Sequence, residues 1–447
     1  MNDTPLYTQL IRHRKKGLSP FHTPGHKCSG FISNELLSLD LTELPDTDAL
    51  YEADGAILQA EIKLARLFGA KRTLISSGGC TLAIQAMLRI ASQRGKRILF
   101  SRNIHRSAIN ACALLGIEPV WVMPRSESSL FTGRIVPEDI KTALDDAPDI
   151  SACYITSPDY YGEISDIAAI AEICHQRGAL LLVDNAHGSH LAFMKDDLHP
   201  IHHGADMTAC SLHKTLPVLT GGAALNIGNS ALANEAKAAM ALFGSTSPSY
   251  PIMASIDLCR AYLEQGGIEE YKSLGKRISE IKTLARAHGL IQPEGLCDEL
   301  RICINTSCAG IEEAKQTELF HSFGIEPEFC DGKNAVLICT PFNSSEDLER
   351  VERLISSLHG RSCADKPARI RLPRQIMSPR EAMLGETEQI STVNAAGRIS
   401  ADSSCPCPPG IPLIMPGELI DNETAELILR SGKKSICCVK REPLLGT

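Results

Sequence analysis

ADMTACSLHKTLP, Ala205–Pro217, is the stretch on which the reading of the fold turns. A short apolar segment runs into Ser211, and His213 and Lys214 follow in a small loop. A lysine presented just past a strand is how an amine is offered to an aldehyde. The amine must be unprotonated to attack, and partial burial beside another cation lowers its pKa. Ser211 and His213 suit a phosphate. Taken alone, Ser-x-His-Lys reads better as an ordinary surface lysine, so the neighbouring segments have to decide.

Thirty residues upstream stands VDNAHGSH, Val183–His190, with Asp184 closing the apolar run Leu180–Val183. A buried carboxylate that far ahead of a reactive lysine fits pyridoxal 5'-phosphate. That ring withdraws electrons only while its pyridine nitrogen is protonated, and a carboxylate beside the nitrogen keeps it so. Ala186 is small enough to lie against a ring face, and His187 can hydrogen-bond the cofactor or a substrate carboxylate. The spacing of Asp184, His187 and His190 also allows a metal site or a satisfied polar loop, but no further ligand with suitable spacing is evident. No metal is expected.

Two more segments join these. SSGGCTLAIQAML, Ser76–Leu88, is a glycine turn opening a helix, where free N–H groups and the helix dipole attract an anion. Gly79, Cys80 and Thr81 are the candidate phosphate cradle. RNIHRS, Arg102–Ser107, follows the strand-like Ile98–Phe100, and His105 is placed to stack on the ring opposite Ala186. Singly each segment has a bland structural reading. In this order within one α/β region they point to a cofactor site.

The rest of the chain supports such a region. From about residue 55 to 225, helical and strand patterns alternate, which predicts a mostly parallel sheet covered on both faces. Ligands of such sheets bind at the carboxyl ends of the strands. Asp54 is the expected cap of a helix ended by Gly69, and Asp166 that of a helix stopped by Gly178. After about residue 290 the pattern becomes a smaller α+β unit, with strands at Arg301–Ile304 and Ala335–Ile338 and a helix over 345–358. Residues 361–381, with six Arg/Lys and three Pro, read as a connecting segment. The following stretch is too rich in proline for regular structure until about Thr424.

Composition narrows the function class. A chain of 447 residues with 43% hydrophobic and 22% charged residues is globular and long enough for two or three domains. A net charge of −8 argues against nucleic-acid binding, which needs a basic surface. No apolar run approaches a membrane span or a signal peptide, so a cytoplasmic protein is expected. The 17 cysteines are then expected to be reduced thiols.

The segments FHTPGHK (Phe21–Lys27), RNIHRS, SPDYYGEISD (Ser157–Asp166), VDNAHGSH, SLHKTLP, MSPREAM (Met377–Met383) and PPGIPLIMPGE (Pro408–Glu418) together resemble the bacterial ornithine/lysine/arginine decarboxylase family, nearly end to end and in its short form. The resemblance implies an α/β aspartate-aminotransferase-like fold of type I with a mostly parallel central sheet. An N-terminal arm (1–50), a cofactor-binding large domain (51–270), a small α+β domain (271–365) and a C-terminal decarboxylase region (366–447) are expected. It implies Lys214 as the Schiff-base lysine, Asp184 at the pyridine nitrogen and His105 stacked on the ring. Cys80, Thr81, Ser211 and His213 would surround the phosphate. Glu418 is expected to meet the substrate's distal cation. His22, His26 and Lys27 read as an arm reaching the site across a dimer interface, with His26 a candidate substrate contact. Homodimers or larger assemblies are expected. Asp159 stands where threonine is common, and Cys407 where tyrosine is usual.

The expected reaction is decarboxylation of a basic amino acid. Arginine giving agmatine comes first, then lysine to cadaverine and ornithine to putrescine, all feeding polyamine metabolism. Lys214, His187 and His105 are the expected catalytic groups. Transamination or another lyase reaction on the same fold, and a non-catalytic regulatory paralogue, are the alternatives.

Overall fold

The computed structural model describes residues 16–21, 27, 43, 47–125, 133–292, 295–360, 371–404 and 411–440. His22, His26 and Cys407 lie outside the described residues.

In chain order the first strands are Ser19–Phe21 (β1), Arg72–Ser76 (β2), Arg97–Ser101 (β3), Glu118–Val122 (β4) and Ala152–Thr156 (β5). Leu180–Asp184 (β6), Met207–Cys210 (β7) and Ala223–Ile227 (β8) follow. A seven-stranded sheet has the order β2-β8-β7-β6-β5-β3-β4. β4, β3, β5, β6 and β7 run parallel, and only β8 is antiparallel to both of its neighbours. The interior strands are unbroken apolar runs because both faces are covered: Leu181, Leu182 and Val183 have no exposed surface. On one face lies the helix Gly79–Ser92. Its Ala83, Ala86 and Ala91 are wholly buried, small enough to let the helix sit close to the sheet.

Helix Ala56–Leu67 has its cap elsewhere than the sequence suggests. Its N-cap is Gly55, which has no side chain to offer, and Asp48 reaches across instead. The Asp48 carboxylate accepts from the backbone N–H groups of Ala49, Asp54, Gly55 and Ile57 at 2.8–3.1 Å. Burial would raise the pKa of Asp48, but these donors outweigh it and hold it below the usual carboxylate value. Replacing Asp48 with alanine is expected to cost about 1–2 kcal/mol, the upper range for a lost cap. Because the folded pKa is depressed, this stabilisation is present above about pH 4 and is lost as pH falls through the lower, folded-state pKa. Chemical denaturation of both proteins at neutral and acid pH reads this as a stability difference that shrinks on acidification.

The second sheet, order β12-β13-β10-β9, is antiparallel: Ile291–Gln292 (β9), Arg301–Asn305 (β10), Phe329–Cys330 (β12) and Asn334–Ile338 (β13). Helices Ile268–Ala287 and Ser345–Ser357 supply Ile278, Ile281, Val351 and Leu354 to a core that also holds β10 and β13. β1 pairs with Ile325–Pro327 (β11), so Phe21 is sealed into that core.

The C-terminal region is more regular than expected. Thr387–Ser391 (β14) pairs with Ser435–Val439 (β15), and helix Asn422–Arg430 packs beside them. Ile414, Ile420, Ile428 and Ile436 form a small core of their own. Across the end of the expected connector, residues Pro379–Leu384 are helical, started by a capping box between Ser378 and Glu381. Ser-x-x-Glu is a legible start signal, but a single helical turn leaves no apolar period to read. Twelve described cysteines are free thiols. Cys308 departs from the expected reduced state, being disulfide-bonded. No helix among the described residues is long and apolar enough to cross a membrane.

Candidate active site

The carboxyl ends of β2, β3, β5, β6 and β7 surround a cavity of about 220 Å³. Gly79, Cys80 and Thr81 come from the turn after β2, and Asn103 and His105 from the turn after β3. Thr156, Asp159 and Tyr160 follow β5, Asp184, Ala186 and His187 follow β6, and Ser211, His213 and Lys214 follow β7. Of the described residues expected at the site, all but Glu418 therefore line one cavity. They come from turns up to 135 residues apart in the chain, between Gly79 and Lys214.

Lys214 lies in the one-turn helix Leu212–Thr215 and is half-buried. Burial lowers its pKa, with the negative charge of Asp184 opposing. Its Nζ is 2.8 Å from Nε2 of His187. The pKa of His187 is driven well below the ordinary value, first by burial and then by the charges of Lys214 and Arg301. A neutral imidazole thus faces a lysine amine whose proton is loosely held, as a nucleophilic and proton-transferring amine requires.

Asp184 is 2% exposed. Its Oδ2 accepts from the Tyr154 hydroxyl at 3.0 Å, and its Oδ1 from the Ala186 N–H at 3.1 Å. Burial, and then the Asp184 charge, push the Tyr154 pKa far up, so the phenol remains a donor. Tyr154 was not legible as a site residue, because in sequence it is one more apolar member of a strand. His105 caps the helix Arg106–Leu115, its Nδ1 accepting from the Ser107 N–H at 3.2 Å. That bond leaves the neutral ring's proton on Nε2.

At the anion end, Gly79 has φ +70° and no atom within 4 Å of where a Cβ would stand. Its own N–H donates to the Gly221 carbonyl at 2.9 Å. Gly79 therefore contributes space rather than a donor, and the N–H groups of Cys80 and Thr81 are left in the first helical turn. The Cys80 thiol pKa is pushed up by burial and then by Asp184, so it is no nucleophile. His213 uses Nδ1 on the Gly222 carbonyl at 3.0 Å, which orients its ring.

Glu418 stands away from this cavity. It is fully buried, and its two carboxylate oxygens meet Nη1 and Nη2 of Arg102 at 2.6 and 2.7 Å. Oε2 also accepts from the Met415 N–H at 2.7 Å. The expectation that Glu418 meets a substrate cation is corrected for its own chain: both oxygens are committed to a guanidinium. Asp159 is likewise saturated, accepting from the N–H groups of Gly133, Tyr161 and Glu163 at 2.8–3.0 Å, and so holds its loop in shape. His190, the last residue of VDNAHGSH, lies behind the wall, its Nε2 2.8 Å from Asp298. Arg301 binds the carbonyls of Tyr160 and His187 at 2.7 and 3.2 Å and joins the second sheet to two site loops.

The residues present fit pyridoxal phosphate. Beside an amine and a buried carboxylate, the cavity wall carries polar atoms with no partner among the described residues: both amide atoms of Asn103, Oγ1 of Thr156 and Nδ1 of His187. Buried polar groups are rarely left so unless a ligand or water completes them. Among the described residues, no group of three or more His, Cys, Asp or Glu is arranged to hold a metal ion.

Comparison with known proteins agrees. The chain is 31% identical to the arginine decarboxylase of Bacillus subtilis, over 96% of this chain and 94% of that protein. It is also 31% identical to that of Bacillus anthracis, over 96% and 93%. The solved constitutive lysine decarboxylase of E. coli superposes with a TM-score of 0.75 at 19% identity, covering 98% of this chain and 82% of the other. This likeness establishes the type I fold. The family description "Orn/Lys/Arg decarboxylase, major domain" matches residues 4–328, and its C-terminal domain matches residues 363–430. With a lysine, its carboxylate and an anion cradle gathered at the ends of one parallel sheet, the chain belongs to the Orn/Lys/Arg decarboxylase family.

Proposed function

We propose that this chain decarboxylates a basic amino acid with pyridoxal phosphate as cofactor, and that arginine, giving agmatine, is the preferred substrate. The observation that carries the reading is the convergence of Lys214, Asp184 and the helix start at Cys80 and Thr81 on one cavity. Relatives named arginine decarboxylase, at 31% identity over nearly the whole chain, favour arginine over lysine and ornithine.

Bound here, pyridoxal phosphate supplies an electron-withdrawing ring that accepts the electron pair left behind when the carboxylate departs as CO2. The chain's residues do the rest. Cys80 and Thr81 N–H groups, with Ser211 and His213, hold the phosphate. Asp184, oriented by Tyr154, keeps a proton at the pyridine nitrogen. Ala186 and His105 would enclose the two ring faces and exclude water. Lys214 Nζ offers the amine that anchors the cofactor and returns a proton to the α-carbon. His187 Nε2, 2.8 Å away, is the partner through which that proton is passed. Family membership also supports a homo-oligomer, and the separate sheets support the division at residues 50, 270 and 365 as a working one.

The test supplies arginine, lysine and ornithine separately to the purified chain with pyridoxal phosphate and measures CO2 and amine. Arginine is expected to turn over fastest, with agmatine formed in step with CO2. Absence of CO2 from all three would end the reading. A keto acid without amine would replace it with transamination.

A further inference from the structure

Two polar side chains on the β5 and β3 side of the cavity, Asn103 and Thr156, have no role in the reading above. Asn103 is more than nine-tenths buried, 8% exposed, yet neither Nδ2 nor Oδ1 has a partner among the described residues. Thr156 Oγ1 beside it is also buried and unpartnered. Leaving an amide or hydroxyl buried and unsatisfied costs about 1–3 kcal/mol per group, so a purely structural role would select apolar side chains here.

These groups are also held in place. Asn103 follows Arg102, whose guanidinium is gripped by Glu418, donates to the Pro412 carbonyl at 3.3 Å and sits 4.9 Å from the Trp121 ring centre. Thr156 ends β5, and its N–H donates to Ser101 Oγ on β3 at 3.2 Å. The two side chains are thus fixed on neighbouring strands and face one cavity.

Strand order shows what they face. The anion cradle follows β2, Asp184 ends β6, and β5 and β3 come next in the sheet order β2-β8-β7-β6-β5-β3. Strands lie about 4.8 Å apart. Thr156 is one strand beyond the carboxylate assigned to the ring nitrogen, and Asn103 two, both on the side away from the phosphate. In pyridoxal phosphate the phosphate arm and the ring hydroxyl lie on opposite edges of the ring. Apart from the nitrogen, that hydroxyl is the polar group of the far edge.

We infer that Asn103 and Thr156 form a hydrogen-bonding clamp for the ring hydroxyl of the cofactor. Asn103 Nδ2 and Thr156 Oγ1 donate to the oxygen, fixing the ring's rotation over Asp184. The same two donors could serve a substrate carboxylate oxygen, and the test separates the two acceptors. The inference rests on the cofactor reading above.

Dissociation constants are measured by spectroscopic titration of full-length wild type, Asn103→Leu and Thr156→Val, with pyridoxal phosphate and with its 3-deoxy analogue. Thermal melting of the cofactor-free proteins is recorded alongside. Each substitution is expected to weaken pyridoxal phosphate about tenfold or more, as losing a hydrogen bond to a charged oxygen does. Neither should weaken the deoxy analogue more than about twofold, and neither should lower the melting temperature. Equal weakening of both ligands, or of neither, would overturn the clamp. Unchanged cofactor affinity with a raised KM for the amino acid would also overturn it and move the contact to the substrate carboxylate. If Asn103→Leu fails to fold, Thr156→Val decides on the same criteria. A wild type that binds neither ligand overturns the cofactor reading itself.

Discussion

Lys214→Ala protein is expected to show no visible absorbance band with excess pyridoxal phosphate and to lose decarboxylation by on the order of 10³–10⁴-fold, the upper end for removal of a positioned proton-transfer group. The loss is large because one atom has two tasks. In the proposed reading Lys214 Nζ anchors the cofactor and also exchanges a proton with His187, whose Nε2 is 2.8 Å away. Burial has already lowered its pKa against the pull of Asp184, so no neighbour can supply an equally available amine. Lys214→Arg should be as damaging, since a guanidinium stays protonated and is no nucleophile at neutral pH. Melting temperatures should change little, because the side chain is only half-buried and forms no ion pair in the described structure. A retained band in Lys214→Ala, measured at equal protein concentration, would show that the cofactor is anchored elsewhere.

Glu418→Ala is expected to cost about 3–5 kcal/mol in stability, the penalty for leaving one member of a buried ion pair alone. Arg102 is almost wholly buried, with a side-chain exposure of 1%, and among the described residues no other carboxylate pairs with its Nη atoms. The pair also joins the C-terminal region to the end of β3, so Asn103 should lose its fixed position with it. Urea denaturation without cofactor or substrate reads the loss directly. A substrate-binding role would instead raise KM for arginine at unchanged stability, and that result would restore the earlier expectation for Glu418. Replacing both residues with apolar side chains of similar volume should recover much of the stability, but not the placement of Asn103.

How far the sequence carries can be seen in particular residues. Asp184 was legible because an apolar run ends on a carboxylate, whereas Lys214 in its own segment reads as a surface lysine and becomes a candidate only beside Asp184, thirty residues upstream. The parallel sheet that unites them follows from the alternation of periods along residues 55–225. Asp48 as the true helix cap was not legible, since the chain turns back on itself between residues 48 and 55 and brings a carboxylate to N–H groups seven and nine positions on. Tyr154 was hidden because its hydroxyl points along a path that only the neighbouring strand β6 defines.

By itself, then, the sequence determined the order of elements, the type of sheet and which residues gather at its carboxyl ends, because these depend on residue periods and on side chains a few positions apart. What Glu418 does was decided only in three dimensions. Whether a carboxylate meets a ligand or a guanidinium depends on what stands within 3 Å of it, and Arg102 arrives there from 316 residues away. The same holds for Asn103. Its type is readable in one dimension, but its want of a partner exists only once the surrounding strands have closed off water and left the cavity as the one place it can turn.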